Sequence, residues 1–168
     1  EFITYGNTTI CRDIDMKFQF RNQASFLREV VFRFDNESKL ITSMAFRLSS
    51  EAENDIATKN KWNNDCKQAL INFLEDYQTA YALKRYDYLE SIFSDDALII
   101  VGHVLKGNND ELKDIKEFNL PAQEVELLRM DKNAYFDRLS KVFKSQEYIN
   151  IRFTETDFKR QMFSNDES

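Results

Sequence analysis

The period of the apolar pattern changes once, at Ser50, and that change constrains the fold more than any other feature of the chain. Before it, apolar residues alternate with others: Met16, Phe18 and Phe20 are separated by Lys17 and Gln19, Val30, Phe32 and Phe34 by Val31 and Arg33, and Met44, Phe46 and Leu48 by Ala45 and Arg47. Successive side chains of a strand point to opposite faces, so a period of two predicts three strands with one apolar and one cationic face. The breaks Arg21-Asn22-Gln23 and Asp35-Asn36-Glu37-Ser38 are short and polar, which suits hairpins. An antiparallel three-stranded meander is expected over 1–49.

From Ser50 the period is that of a helix. Ser50 and Glu53 have the spacing of a capping box, in which the hydroxyl accepts from a first-turn amide and the carboxylate reaches back. Ala52, Ile56, Trp62, Cys66, Leu70, Phe73, Tyr77 and Tyr81 recur at threes and fours, with one slip near Lys59. They predict a long amphipathic helix to about Leu83, kinked or broken at the slip, with Trp62 packing it onto the sheet. A shorter helix follows on Tyr88, Leu89, Ile92 and Phe93 and closes at Ser94-Asp95-Asp96. The nearly continuous apolar run 97–105 reads as a strand covered on both faces. Beyond it come a turn at Gly107-Asn108-Asn109-Asp110, a charged loop over 111–123 holding Pro121, and a short strand over 125–130. Asp131 then caps a helix with the stripe Tyr135, Phe136, Leu139, Val142 and Phe143, and a last strand, 148–159, carries Ile149, Ile151 and Phe153. The fold class is α+β, an antiparallel sheet packed by one long and two shorter helices, divided at 1–49 and 50–168.

Composition removes several functions. Only Gly6, Gly102 and Gly107 are glycine, so no phosphate-cradling loop of the Walker or dinucleotide type can be written. His103 is the single histidine, which excludes zinc sites built from several; no metal or cofactor is expected. Cys11 and Cys66 lie too far apart for a redox motif. A formal charge of -6 and a pI near 4.9 repel phosphate backbones, so nucleic acid is not an expected partner. No apolar run approaches the roughly 20 residues that span a bilayer.

The order long helix, short helix, Ser94-Asp95-Asp96-Ala97, apolar strand, loop, helix, strand resembles the nuclear-transport-factor-two-like superfamily, which includes the SnoaL-like polyketide cyclases and the ketosteroid isomerases. The resemblance covers 60–159 and is carried chiefly by Tyr88-Leu89-Glu90-Ser91-Ile92-Phe93-Ser94-Asp95-Asp96-Ala97. It implies a cone, in which a bent antiparallel sheet wrapped by helices encloses a pocket. The family's last strands are lacking after Ser168, and 1–49 resembles the closing strands of an upstream domain of similar type. The helices' apolar faces are then covered by those strands or by a second chain across open sheet edges, which would make a homodimer.

The resemblance also assigns a site. Tyr77 falls where the isomerases hold a hydrogen-bond donor, and their aspartate base falls on Val101, which takes no proton. His103 lies two residues on and shares Val101's side of the strand. A lone histidine in an apolar strand is more often packed than catalytic, and aromatic residues at helical spacing are more often core. The expected pocket residues are therefore Phe73, Tyr77, Tyr81, Ile99, Val101 and His103, in a non-catalytic module of a larger bacterial protein, extracytoplasmic by expectation. It would bind a small apolar or amphipathic molecule or a protein partner. The alternative is a lyase, cyclase or isomerase using His103 with Tyr77. Asp95 with Asp96 reads as a solvated turn, and Glu155 with Asp157 as a rim at most.

Overall fold

A computed structural model describes residues 1–19, 25–59, 61–104 and 125–153, although the side chains of His103, Val104 and Val125 fall outside that description. Two compact units result. The first takes 1–86 with the residues from 147 onward, and the second takes 87–146. The expected meander is thus grouped with the helices that follow it. The loop 111–123, the pair Glu155 and Asp157, and the end of the chain lie outside the described residues.

In the first unit, β1 (Phe2–Tyr5), β2 (Thr8–Gln19), β3 (Ser25–Asp35) and β4 (Ile41–Phe46) form one antiparallel sheet in sequence order. The first strand escaped the sequence reading because four residues give too few alternations to register. The Asp35 carboxylate closes the β3–β4 turn by accepting from the amides of Glu37 and Ser38, at 3.1 and 2.7 Å. These bonds, with the Ser38 hydroxyl, hold Asp35 below its usual carboxylate range.

The register of β2 on β3 runs from Cys11↔Phe32 to Ile14↔Val30, so Arg12 and Asp13 together oppose Val31. That is a β-bulge. Asp13 has φ 61°, a left-handed conformation that aspartate tolerates better than bulkier residues.

The sheet is buried on both faces at its centre, where Val30 and Val31 are each inaccessible. Val30, Phe46 and Ala82 form an apolar cluster with Ile14, Met16, Phe18, Phe32, Met44 and Tyr148 around it. Each fully buried side chain of this size contributes about 1.5–3 kcal/mol. Phe18 supports the cluster with a stacked contact to Phe26 at 5.2 Å and an edge contact to Phe46 at 5.1 Å.

Helix α1 (Ser50–Lys59) and helix α2 (Asn64–Ala82) replace the long helix, with the break at the expected slip. Asn63 starts α2 by accepting from the Cys66 amide at 2.8 Å, and Trp62 lies in the connection rather than in a helix. The Ser50–Glu53 capping box is not made. Ser49 caps α1 instead, its hydroxyl accepting from the Ala52 amide at 3.3 Å, because Glu53 is drawn away to arginines on the sheet. Helix α2 ends with Lys84 at φ 56°, the Arg85 amide bonding to the Ala80 carbonyl and the Lys84 amide to that of Tyr81. This is a Schellman stop with lysine where glycine is usual.

A second cluster, Leu48, Ala52, Ile56 and Leu74, packs α1 on α2 with Leu70, Ile71 and Phe153 beside it. Residues 148–153 carry no strand, so the described part of the expected last strand is irregular chain. Cys11 and Cys66 are free thiols.

The second unit holds α3 (Tyr86–Ile92, its first residue in the other unit), β5 (Ile99–Val104), β6 (Val125–Met130) and α4 (Lys132–Ser145). Asp131 caps α4 as expected, accepting from the Ala134 amide at 2.8 Å. Phe93 stacks on Tyr135 and meets Phe136 edge-on, at 5.7 and 5.4 Å, which ties the end of α3 to α4. The expectation of a strand buried on both faces is wrong for β5. Its partner is β6, and Leu98 and Ile100 are 67% and 52% exposed, while Ile99 and Val101 are half-buried. An apolar run alone does not distinguish a central strand from a hairpin with one open face. Asp95 and Asp96 are solvated, Asp95 pairing with Lys132 at 2.7 Å and Asp96 accepting from the Ser94 hydroxyl.

Candidate functional site

Helix α2 is fastened to the free edge of β4 by polar side chains. The Phe46 amide donates to the Thr79 hydroxyl at 2.7 Å, and that hydroxyl donates to the Glu75 carbonyl at 2.6 Å. The Gln78 amide donates to the carbonyls of Phe46 and Arg47, at 2.8 and 3.0 Å. The amide and carbonyl of Phe46, which point away from β3, would otherwise lack a partner.

Beneath this seam lies a buried ion network. Alternation from Ile10, which opposes Arg33, places Arg12 on the face of Val31 and Arg33. There Glu75, with no accessible surface, lies 3.2 Å from Arg12 Nη2 and 3.1 Å from Arg33 Nη2. Arg12 Nη1 reaches Glu53 at 2.6 Å, and Arg33 Nη1 reaches Asp76 at 2.7 Å. Arg47 joins from the end of β4, pairing with Asp13 at 2.7 Å, Glu53 at 3.1 Å and Glu29 at 3.3 Å.

Burial decides the electrostatics of the network. Loss of hydration pushes the Glu75 carboxyl above the ordinary glutamate range, outweighing Arg12, Arg33 and the Leu48 amide, which favour its charge. Hydrogen bonding to Glu53 holds Arg47 more firmly charged. Among the described residues, Arg12 Nε and Nη2 and Arg33 Nε make no hydrogen bond, Arg12 Nη2 lying within ion-pair range of Glu75 but badly angled. A general base must reach the proton it removes, and Glu75 is wholly enclosed, so it is not placed to act as one; the network anchors α1 and α2 to the sheet.

Among the described residues, a cleft of about 320 Å³ opens beside the network. Leu48, Ile151 and Phe153 give it apolar walls, and Arg28, Arg47 and Arg152 give it cations. Arg28 is braced: Nε and Nη2 donate to the Tyr148 hydroxyl at 3.4 and 3.2 Å, and Nη2 also donates to Asn150. Tyr148 itself lies against Phe26, ring centroids 4.5 Å apart.

Of the six residues expected in one pocket, the structure brings three together. Phe73, Tyr77 and Tyr81 form a ladder along α2 with centroid spacings of 6.0 and 5.0 Å, and the hydroxyls of Tyr77 and Tyr81 bond each other at 3.2 Å. Phe153 joins this ladder to the cleft, 6.2 Å from Tyr77. Ile99, Val101 and His103 belong to the other unit, where the backbones of Val101 and His103 pair with Leu128 and Glu126. The side chain of His103 lies outside the described residues.

Sequence reasoning missed Arg28, although the pattern contains a signal for it. Phe26, Arg28, Val30, Phe32 and Phe34 share one phase of β3, and Arg28 is the only charge in that phase. Arg152 carries no comparable signal, since it lies in irregular chain. Among the described residues no group of three or more metal-ligating side chains converges, and no helix is long and apolar enough to cross a membrane. Comparison with protein-family models, with curated proteins and with solved structures finds no match to the chain.

Proposed function

We propose that this chain is a non-catalytic binding module that takes a small amphipathic molecule into the cleft of its first unit. The observation that carries the proposal is the cleft itself, about 320 Å³ with apolar walls and fixed polar groups, at the lower end of the size of small-molecule sites. Its walls are preorganised, since Leu48 and Phe153 belong to the α1–α2 packing and Arg28 is braced by Tyr148. A preorganised wall loses little freedom on binding. The cone-fold kinship of 60–159 remains part of the proposal, supported by the order of α2, α3, the Ser94–Asp96 turn and β5. The described cleft is formed by the sheet, α1 and the chain around 151–153, a different place from the pocket that kinship implies.

The test is thermal unfolding of the whole chain against hexanol, octanol, decanol and the matching carboxylates. A saturable rise in Tm with at least one amphiphile is expected, together with its loss in Ile151→Trp, which fills the cleft. No rise with any of them, or a rise that Ile151→Trp leaves intact, overturns the proposal.

A further inference from the structure

Resting on that cleft binding, we infer that the head group it selects is a carboxylate, clamped between Arg28 and Arg152. The inference comes from the charge balance of the lining. Of its three arginines, Arg47 is fully engaged by Asp13, Glu29 and Glu53. Arg28 is held only by neutral partners, Tyr148 and Asn150, and its Nη1 has no partner among the described residues. Arg152 is exposed and meets no carboxylate among the described residues. Among the described residues, two guanidiniums of the lining thus have no carboxylate partner.

The acids in the lining offset them only in part. Both oxygens of Glu29 accept from Arg47, at 3.3 and 3.4 Å, which leaves Glu51, exposed in the first turn of α1, as the uncommitted acid. The first turn of α1 borders the same cleft and adds positive field from its amide end. Guanidinium forks match carboxylate geometry, and charge-assisted bonds are roughly twice as strong as neutral ones. Leu48, Ile151 and Phe153 offer contact for the ligand's apolar body. An arginine braced by a tyrosine is also a fixed donor, which suits recognition of one head group over general attraction of anions.

The experiment is calorimetric titration of the whole chain with octanoate, octan-1-ol and acetate. It is repeated on Arg28→Gln and Arg152→Gln, with the ligand-free Tm of each variant measured alongside. Octanoate is expected to bind at least ~10-fold more tightly than octan-1-ol and acetate, and each substitution is expected to weaken octanoate ~10-fold while leaving octan-1-ol unchanged. Equal binding of octanoate and octan-1-ol, unaffected by either variant, overturns the clamp and leaves cleft binding standing. Binding of neither amphiphile overturns both. Octanoate binding that survives Arg152→Gln places the head group elsewhere and also overturns the clamp; this variant is decisive if Arg28→Gln lowers the ligand-free Tm, because Arg152 takes no part in the fold's hydrogen bonds among the described residues.

Discussion

The two faces of the four-stranded sheet are buried by different physics. One carries Val30, Phe46 and their apolar neighbours against Ala82, where attraction is non-directional and any well-fitting apolar side chain contributes. The other carries, beside the buried Ile10, Val31 and Ala45, Arg12 and Arg33 against Glu75 and Asp76, where attraction must first offset lost hydration and depends on the placing of single atoms. The apolar face is therefore tolerant in detail and costly to empty, whereas the ionic face is intolerant in detail and adds specificity more than net stability. The apolar face also required a backbone irregularity: alternation alone puts Arg12 with Ile10 on the Arg33 face, and the bulge shifts Ile14, Met16 and Phe18 onto the face of Val30.

Trp62, the only tryptophan, lies between α1 and α2 and reports on the first unit, so its fluorescence during urea unfolding can break or sharpen this contrast. The largest effect is expected for Phe46→Ala, which empties the centre of the apolar face and should destabilise by about 4 kcal/mol. A loss under about 1 kcal/mol would mean that the face is not the main apolar core. Arg33→Leu should cost about 3 kcal/mol, because Asp76 loses its partner and Glu75 keeps only Arg12. A neutral result there would show the ionic face to be as tolerant as the apolar one. Thr79→Val preserves shape but leaves the buried Phe46 amide without an acceptor, and a cost of about 2 kcal/mol is expected from the same urea midpoints.

The smallest effect separates the regions by pH. Glu75 binds its proton more tightly folded than unfolded, so its contribution is complete below the ordinary glutamate value of 4.5 and is lost as pH rises through its raised value. Asp35, at the exposed turn, has the opposite sign: its contribution is present above the ordinary value of 3.8 and is lost as pH falls through its lowered one. Glu75→Gln should therefore flatten the fall in stability on the alkaline side of 4.5 and leave the acid-side loss in place, as read by urea midpoints across that range. An unchanged alkaline-side slope would show that the two arginines, and not burial, set the charge of Glu75.

Much of the local structure was legible. The alternation of Val30, Phe32 and Phe34 and of Met44 and Phe46 gave β3 and β4, the slip at Lys59 gave the break between α1 and α2, and Asp131 gave the start of α4. Each is a property of a few neighbouring residues, which a pattern of period two or three to four records directly. The capping residue of α1 was misplaced by one, because the sequence shows Glu53 at capping distance and does not show the two arginines that claim it. Arg33 and Arg47 lie opposite the apolar phase, but not on the expected cationic surface; Arg33 is buried against Asp76, 43 residues on, and Arg47 is half-buried against Glu53.

Of the site, the sequence held Phe73, Tyr77 and Tyr81 as one helical stripe, and the structure keeps them as one. It could not relate them to Phe153, more than seventy residues from Tyr77, or relate Arg28 to Tyr148 across a separation of 120. The sequence by itself determined most of the strands and helices, β1 and the irregular 148–153 excepted, since backbone periodicity and capping act within a turn or a hairpin. Only the tertiary structure decided which charges are buried, which arginines stay uncommitted and where a cleft opens, because each depends on hydration lost to residues that the chain brings near only by folding.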